Sequence, residues 1–162
     1  LSFVKMLDQY ITTHSTYMMV SDATPVVAAE IEKIDINIEE IVKDYNILKQ
    51  RTDTLIVEST GGLMTPLNKN IFSIHIPIML KLPILFIVNP TENTISNYLN
   101  EINTATNANA NIIGVIINKF PVYSENPDIK AFPSLIEKYT DVKVLGLIRN
   151  FKEKSVQYSN SE

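Results

Sequence analysis

Two periods of apolar residues alternate along this chain. Ile38, Ile41, Val42, Tyr45 and Leu48 recur at helical spacing within residues 37–50, with Glu39 and Glu40 in the first turn, where the helix dipole favours acidic groups. The period then changes. Thr54-Leu-Ile-Val57 is a short continuous apolar run between Asp53 and Glu58; Ile84-Leu-Phe-Ile-Val88 and Ile112-Ile-Gly-Val-Ile-Ile117 repeat it, and Val142-Lys-Val-Leu-Gly-Leu-Ile148 is a weaker fourth. Such runs predict strands buried on both faces. Residues 74–81, 94–108 and 132–139 read as helices, the last with Pro133 near its start. Upstream, residues 3–13 predict a helix, 17–20 an extended or loop segment, and 24–32 a helix capped by Thr24 with Pro25 at its first position. Strands alternating with helices predict an α/β fold, a parallel sheet with helices on both faces. There is no internal repeat, and the polar tail 151–162 predicts a short helix that frays.

Composition narrows the chemistry more than the fold. With 162 residues, 45% of them hydrophobic, the chain has room for one core, and residues 1–162 read as a single α/β domain. Its first residue is Leu1 rather than Met, so residue 1 is read as a provisional start. The absence of Cys excludes a disulfide framework, a thiolate metal site and a cysteine nucleophile. A net charge of -4 with scattered lysines argues against nucleic acid as a partner. The most apolar stretch, 71–88, is broken by His75, Pro77, Lys81 and Pro83, so no membrane span is expected, and with no secretory leader pattern the expected location is cytoplasmic. His14 and His75 stand far apart without a second ligand at metal spacing, and Tyr98 is expected to pack rather than stack on a base. None of the four glycines, Gly61, Gly62, Gly114 and Gly146, is followed by Lys, so these residues contain no G-x-x-x-x-G-K-[ST] phosphate loop.

In an open parallel sheet the ligand site lies outside the carboxyl ends of the strands. Three loops qualify. In Glu58-Ser-Thr-Gly-Gly-Leu-Met-Thr-Pro-Leu67 a carboxylate able to hold Mg2+ ends an apolar run, and two glycines allow the backbone to approach a ligand. Taken alone, Glu58 could equally end a strand in solvent. Asn89-Pro-Thr-Glu-Asn-Thr-Ile-Ser-Asn97 leads into a helix whose free N–H groups suit an anion, although ordinary capping by Asn93 or Thr94 explains it locally. Ile117-Asn-Lys119 places an Asn at a strand end, where it offers a donor and an acceptor to a nucleobase edge or simply makes a turn.

In this order the three loops resemble dethiobiotin synthetase, the ATP-dependent family that closes the ureido ring in biotin synthesis. The stretch Asp53 to Leu67 is similar to the family's strand-E-G-A-G-G-hydrophobic-x-x-P-L segment. Residues 82–88 look like its next strand, Ile113-Gly-Val-Ile-Ile-Asn118 like its G-hydrophobic-hydrophobic-x-N strand end, and Thr24-Pro-Val-Val-Ala-Ala-Glu30 like its S-P-H-x-A-A segment. The likeness runs from about Ser21 to Ile148. It implies a P-loop NTPase-like architecture of the SIMIBI type, here lacking its first β-α-β unit. By that resemblance Glu58 is the carboxylate associated with Mg2+ and ATP, and Ser59, Thr60 and Gly61 continue the nucleotide wall. Asn118 reads the adenine with Lys119 beside it, and Arg149 and Asn150 stand in the nucleotide-base loop. Gly62, Thr65, Pro66, Asn93, Thr94 and Ser96 face the substrate, 7,8-diaminopelargonic acid, whose carboxylate is received across a homodimer interface. The family's phosphate loop and both catalytic lysines precede the matched region. The resemblance therefore places those lysines upstream of Leu1, and the chain is expected to be N-terminally incomplete, with the catalytic residues unassigned within it.

This sequence departs from the family pattern at several places. Ser59 and Thr60 replace G-A, adding bulk beside the expected ligand. Glu92-Asn-Thr-Ile-Ser-Asn97 stands where the family has L-G-T-I-N-H, which brings an acid into a loop that receives a carboxylate, and Arg149 stands where a Pro is usual. The rival readings are another P-loop relative, such as a ParA/MinD-like ATPase or a cobyric-acid-synthase-type domain, and a noncatalytic descendant without nucleotide binding. Glu58 separates the first of these from the ligase reading, because ParA-like proteins usually end the corresponding strand with Asp.

Overall fold

Residues 11–151 are described in a computed structural model, as two units that join along the chain between Ile76 and Pro77. In the first unit, α1 (Pro25–Glu32) begins at Pro25 after an extended Thr24, whose side chain makes no capping bond; Thr24 holds the cap position only. The helix ends where Lys33 turns left-handed and donates its N–H to Ala29. Asn37 does cap α2 (Ile38–Lys49), its side chain accepting the Glu39 N–H, and Ile38, Ile41, Val42, Tyr45 and Leu48 are all half-buried. The helical period thus marks one face, as expected.

Side-chain bonds to the main chain tie these helices to the segment before them. Tyr17, within an irregular stretch, accepts the Asn37 N–H at 2.9 Å and donates to Glu40 Oε2 at 3.0 Å. The Ser21 N–H bonds Glu32 Oε1 at 2.8 Å and holds that carboxyl below its ordinary range, because it favours the charged form. His14 Nε2 lies 2.8 Å from Asp44 Oδ2, and this hydrogen bond lowers the Asp44 carboxyl likewise. Of the helix expected over 3–13, residues 11–13 carry no regular structure. Leu1 and the residues after it as far as Tyr10 lie outside the described residues, as does the tail beyond Phe151. The expectation that the family's catalytic lysines stand upstream of Leu1 likewise falls outside the described residues.

The strand expected at Thr54–Val57 is not formed. Residues 54–57 carry no regular structure and pair with no strand among the described residues, and Ile56 is 86% exposed. An apolar run specifies a surface to cover, whereas a strand also requires a neighbour in register to take its N–H and C=O groups.

In the second unit the alternation holds. Strands β1 (Ile84–Val88), β2 (Ile112–Phe120) and β3 (Val144–Arg149) form a parallel sheet in that order, with α4 (Ile95–Asn107) and α5 (Pro127–Thr140) as the crossovers; the short α3 (His75–Met79) precedes them. Leu85 faces Gly114, Val88 faces Ile117, and Ile117 in turn faces Leu147. Val88, Val115 and Ile117 pack with Ile102 of α4 and with Phe132 and Ile136 of α5 into one core. Full burial of each such side chain is worth about 1.5–3 kcal/mol. On the other side of the strands, Leu85, Ile87, Ile113, Leu145 and Leu147 are exposed. The continuous apolar runs therefore bury one face among the described residues, where the pattern predicts two. α5 also starts earlier than expected: Asn126 caps it through the Asp128 N–H and Pro127 opens it, which leaves Pro133 inside the helix.

Candidate functional site

The carboxyl edge of the sheet gathers the ends of all three strands. β1 runs into Asn89, which is 7% exposed and organises the loop that follows. Its Oδ1 accepts the Thr91 N–H at 3.1 Å and the Thr91 hydroxyl at 2.9 Å, and its carbonyl receives the Glu92 and Asn93 N–H groups. Tyr98, one turn into α4, donates its hydroxyl to the Asn89 carbonyl at 3.0 Å and accepts the Asn89 N–H at 2.9 Å. Its ring meets Phe132 edge-on, so Tyr98 packs, as expected. Thr94 is the N-cap of α4 and is bonded to Asn97, whose side-chain amide bonds Asn93 Oδ1 at 3.1 Å. Asn93, Thr94 and Ser96 are exposed at this helix start.

β2 reaches the same edge with an irregularity. The register with β3 shifts between Ile117 and Phe120, Asn118 Oδ1 accepts the Lys119 N–H at 2.9 Å, and Lys119 adopts a positive φ of 52°. The Lys119 ammonium is 3.1 Å from Glu92 Oε1, which joins the end of β2 to the loop after β1. β3 ends at Arg149, opposite Phe120; the Asn150 N–H donates to the Phe120 carbonyl, and the Arg149 guanidinium lies over the Phe151 ring at 5.6 Å. The structure thus brings Asn93, Thr94, Ser96, Asn118, Lys119, Arg149 and Asn150 to one edge of one unit.

The remaining candidates belong to the first unit. Glu58, Ser59, Thr60, Gly61 and Gly62 lie exposed, and Glu58 forms no ion pair among the described residues. Gly61 has φ 71°, and a Cβ there would stand 2.5 Å from Thr65 Oγ1, so this turn excludes a side chain. The Thr65 N–H closes the turn onto Gly62, and Pro66 bridges Phe72 in antiparallel fashion. An exposed carboxylate beside a tight glycine turn fits Mg2+, which takes one or two protein carboxylates and completes its shell with phosphate and water. No cluster of three or more potential ligands occurs among the described residues. His14 is engaged by Asp44, and His75 accepts the Phe72 N–H through Nδ1.

Sequence reasoning assigned no role to Asn89 and read Glu92 only as a departure. Asn89-Pro-Thr carries turn chemistry visible in sequence; the Glu92 to Lys119 pairing joins residues 27 positions apart and has no local signal. A cleft of about 360 Å³ between α1 and the 67–70 turn, lined by Glu30, Asp35 and Lys69 among others, was likewise not anticipated. No helix among the described residues is long and apolar enough to cross a membrane.

Comparison with known proteins adds kinship to this geometry. The ATP-dependent dethiobiotin synthetase BioD of Thermodesulfovibrio yellowstonii is 31% identical over 132 residues, which cover 77% of this chain and 55% of that protein. The protein of the same description from Bacillus subtilis strain 168 is 26% identical over 151 residues, 90% of this chain and 64% of the relative. That of Brachyspira hyodysenteriae is 31% identical over 129 residues, 77% and 58%. The chain thus spans 55–64% of the length of these relatives, and it resembles dethiobiotin synthetases at low identity. The family model described as an AAA domain matches residues 4–155. With a parallel sheet flanked by helices in a P-loop NTPase-like arrangement, and with that model matching most of its length, the chain belongs to the AAA domain family.

Proposed function

We propose that the full-length protein is an ATP-dependent dethiobiotin synthetase, closing the ureido ring on 7,8-diaminopelargonic acid with CO2. The observation that carries this reading is the order of its parts. Residues matching the family's nucleotide and substrate segments recur in family order, and those of the second unit converge on the carboxyl edge of a parallel sheet. The curated relatives reported above bear that activity in their names.

In this reading one amine of the substrate takes up CO2 as a carbamate, the γ-phosphoryl group of ATP activates it, and the second amine displaces phosphate. Charge stabilisation and positioning supply most of such catalysis. Mg2+ would neutralise phosphate charge, and Glu58 is the residue to hold it. Ser59, Thr60 and Gly61 line the nucleotide, Asn118 presents its amide to the base beside Lys119, Arg149 and Asn150, and Gly62, Thr65, Pro66, Asn93, Thr94 and Ser96 receive the diamine. The active form is a cytoplasmic homodimer whose phosphate loop and catalytic lysines are supplied by sequence outside these residues.

Purified full-length protein given diaminopelargonic acid, ATP, Mg2+ and bicarbonate is expected to release dethiobiotin. Glu58→Gln should cut turnover roughly 100-fold or more, the order seen when one electrostatic contact to a transition state is removed. No product from the wild type, together with nucleotide binding untouched by Glu58→Gln, would overturn the reading.

A further inference from the structure

We propose that Glu92 is a positioning residue that straps the loop after β1 to the carboxyl end of β2 through Lys119, so that the segment preceding α4 and the Asn118 amide are held as one unit. Two independent observations meet at this strap. The first is the ion pair itself, Lys119 Nζ to Glu92 Oε1 at 3.1 Å, which lies beyond Val88 and Ile117, the last register pair of β1 and β2. The second is the backbone at Lys119. Five non-glycine residues have positive φ among the described residues: Lys33, Lys81, Asn109 and Asp141 each follow a helix within two positions, where a left-handed residue is the ordinary way to stop. Lys119 alone lies inside a strand, at the point where the β2 to β3 register slips. A left-handed lysine is strained, and such strain persists only where surrounding contacts over-determine it. Those contacts are the Asn118 side chain on the Lys119 N–H, the Asn150 N–H on the Phe120 carbonyl, and Glu92 on the ammonium.

Both partners are more than half exposed, with side-chain accessibilities of 57% and 62%, so the pair adds little to folding. Its effect is geometric. Glu92 is itself placed by its N–H on the Asn89 carbonyl, the carbonyl that the Tyr98 hydroxyl also holds, and the strap therefore connects the start of α4 to Asn118. The arrangement also answers the charge problem posed by an acid in this loop, since the Glu92 carboxylate is paired with a cation. Conversely, the Lys119 ammonium is engaged by Glu92. In the proposed synthetase, on which this part of the inference rests, the strap makes occupation of the substrate segment and of the base-reading segment depend on each other.

The test has two arms on the full-length protein. In the first, without ligand, amide hydrogen exchange is followed over 89–97 and 117–120 in wild type, Glu92→Gln, Lys119→Gly and the swapped pair Glu92→Lys with Lys119→Glu. Each single change should speed exchange several-fold in both segments, including the one not mutated, and the swap should restore it. Lys119→Gly is diagnostic, because it relieves the backbone: its melting temperature should equal or exceed that of the wild type while protection over 89–97 is still lost. Changes confined to the mutated segment, or no recovery in the swap, overturn the strap. In the second arm, MgATP affinity is measured with and without diaminopelargonic acid. The factor by which one ligand tightens the other should fall roughly two- to five-fold in each single variant, the scale of an exposed pair, and more weakly at high salt. An unchanged factor overturns the coupling. Linked exchange in a protein that binds no nucleotide leaves the strap standing and removes the synthetase reading; nucleotide binding without linked exchange does the reverse.

Discussion

Gly114 and Gly146 sit on adjacent paired strands and yet differ in what a methyl group would meet. At Gly114, φ is 152° and a Cβ would stand 2.5 Å from Leu145 Cγ; at Gly146 nothing lies within 4 Å. Gly114→Ala should therefore lower stability by about 1–3 kcal/mol, the cost of a residue held in a sparsely populated conformation. Gly146→Ala should be tolerated, or gain about 0.4–1 kcal/mol by narrowing the unfolded ensemble. Urea midpoints of the two variants against wild type decide it, and equal losses at both sites would refute the distinction. In the sequence Gly114 and Gly146 look alike, each inside an apolar run; the difference between them is a matter of which side chain approaches. The same holds at the site. The candidacy of Glu58 and Asn118 was legible because residue type at the end of an apolar run carries chemical meaning, but Glu92 acquired a role only when Lys119 came within 3.1 Å of it.

At the scale of elements, local rules succeeded where the deciding interactions are local. The helix within residues 37–50, Thr94 before α4 and the Ile84–Val88 strand fall where apolar period and capping residues place them. The start of α5 differs from the expectation because two prolines carry a helix-start signal: Pro133 marks one within 132–139, whereas Asn126 and Pro127 hold the one the fold uses. Pro133 consequently sits within the helix and has no N–H for the carbonyl four residues earlier. Pro133→Ala should raise stability by about 2–2.5 kcal/mol, the helix-interior penalty of proline less the unfolded-state restriction it supplies. Thermal unfolding followed by circular dichroism is the measurement, and a lower midpoint in the variant would show that the proline ring packs usefully.

At the scale of the molecule, two carboxyls with favourable partners should make the stability of the first unit depend on acid. Glu32, in the first unit, has its carboxyl lowered by the Ser21 N–H, and Asp44 has its lowered by His14. A carboxyl whose pKa is depressed on folding stabilises the fold fully above its unfolded pKa, and the benefit is lost as pH falls through the lower folded value. Stability of the segment carrying α1 and α2 should decline on acidification below the ordinary carboxylate range, and Glu32→Gln should flatten that limb when unfolding midpoints are compared from about pH 6 to pH 3. An identical slope in the variant would remove Glu32 from the account. The division between what is written in the chain and what folding adds follows from range. Helix caps, apolar periods, the strand-helix alternation and the family's ordered motifs depend on residues a few positions apart, and these the amino-acid sequence determined by itself. Whether residues 54–57 find a pairing neighbour, which face of the sheet α4 and α5 cover, and which cation meets Glu92 depend on segments brought together across tens of residues. Only the tertiary structure decided them, because hydrogen-bond partners, burial and charge pairing are properties of neighbours in space, which a linear pattern does not name.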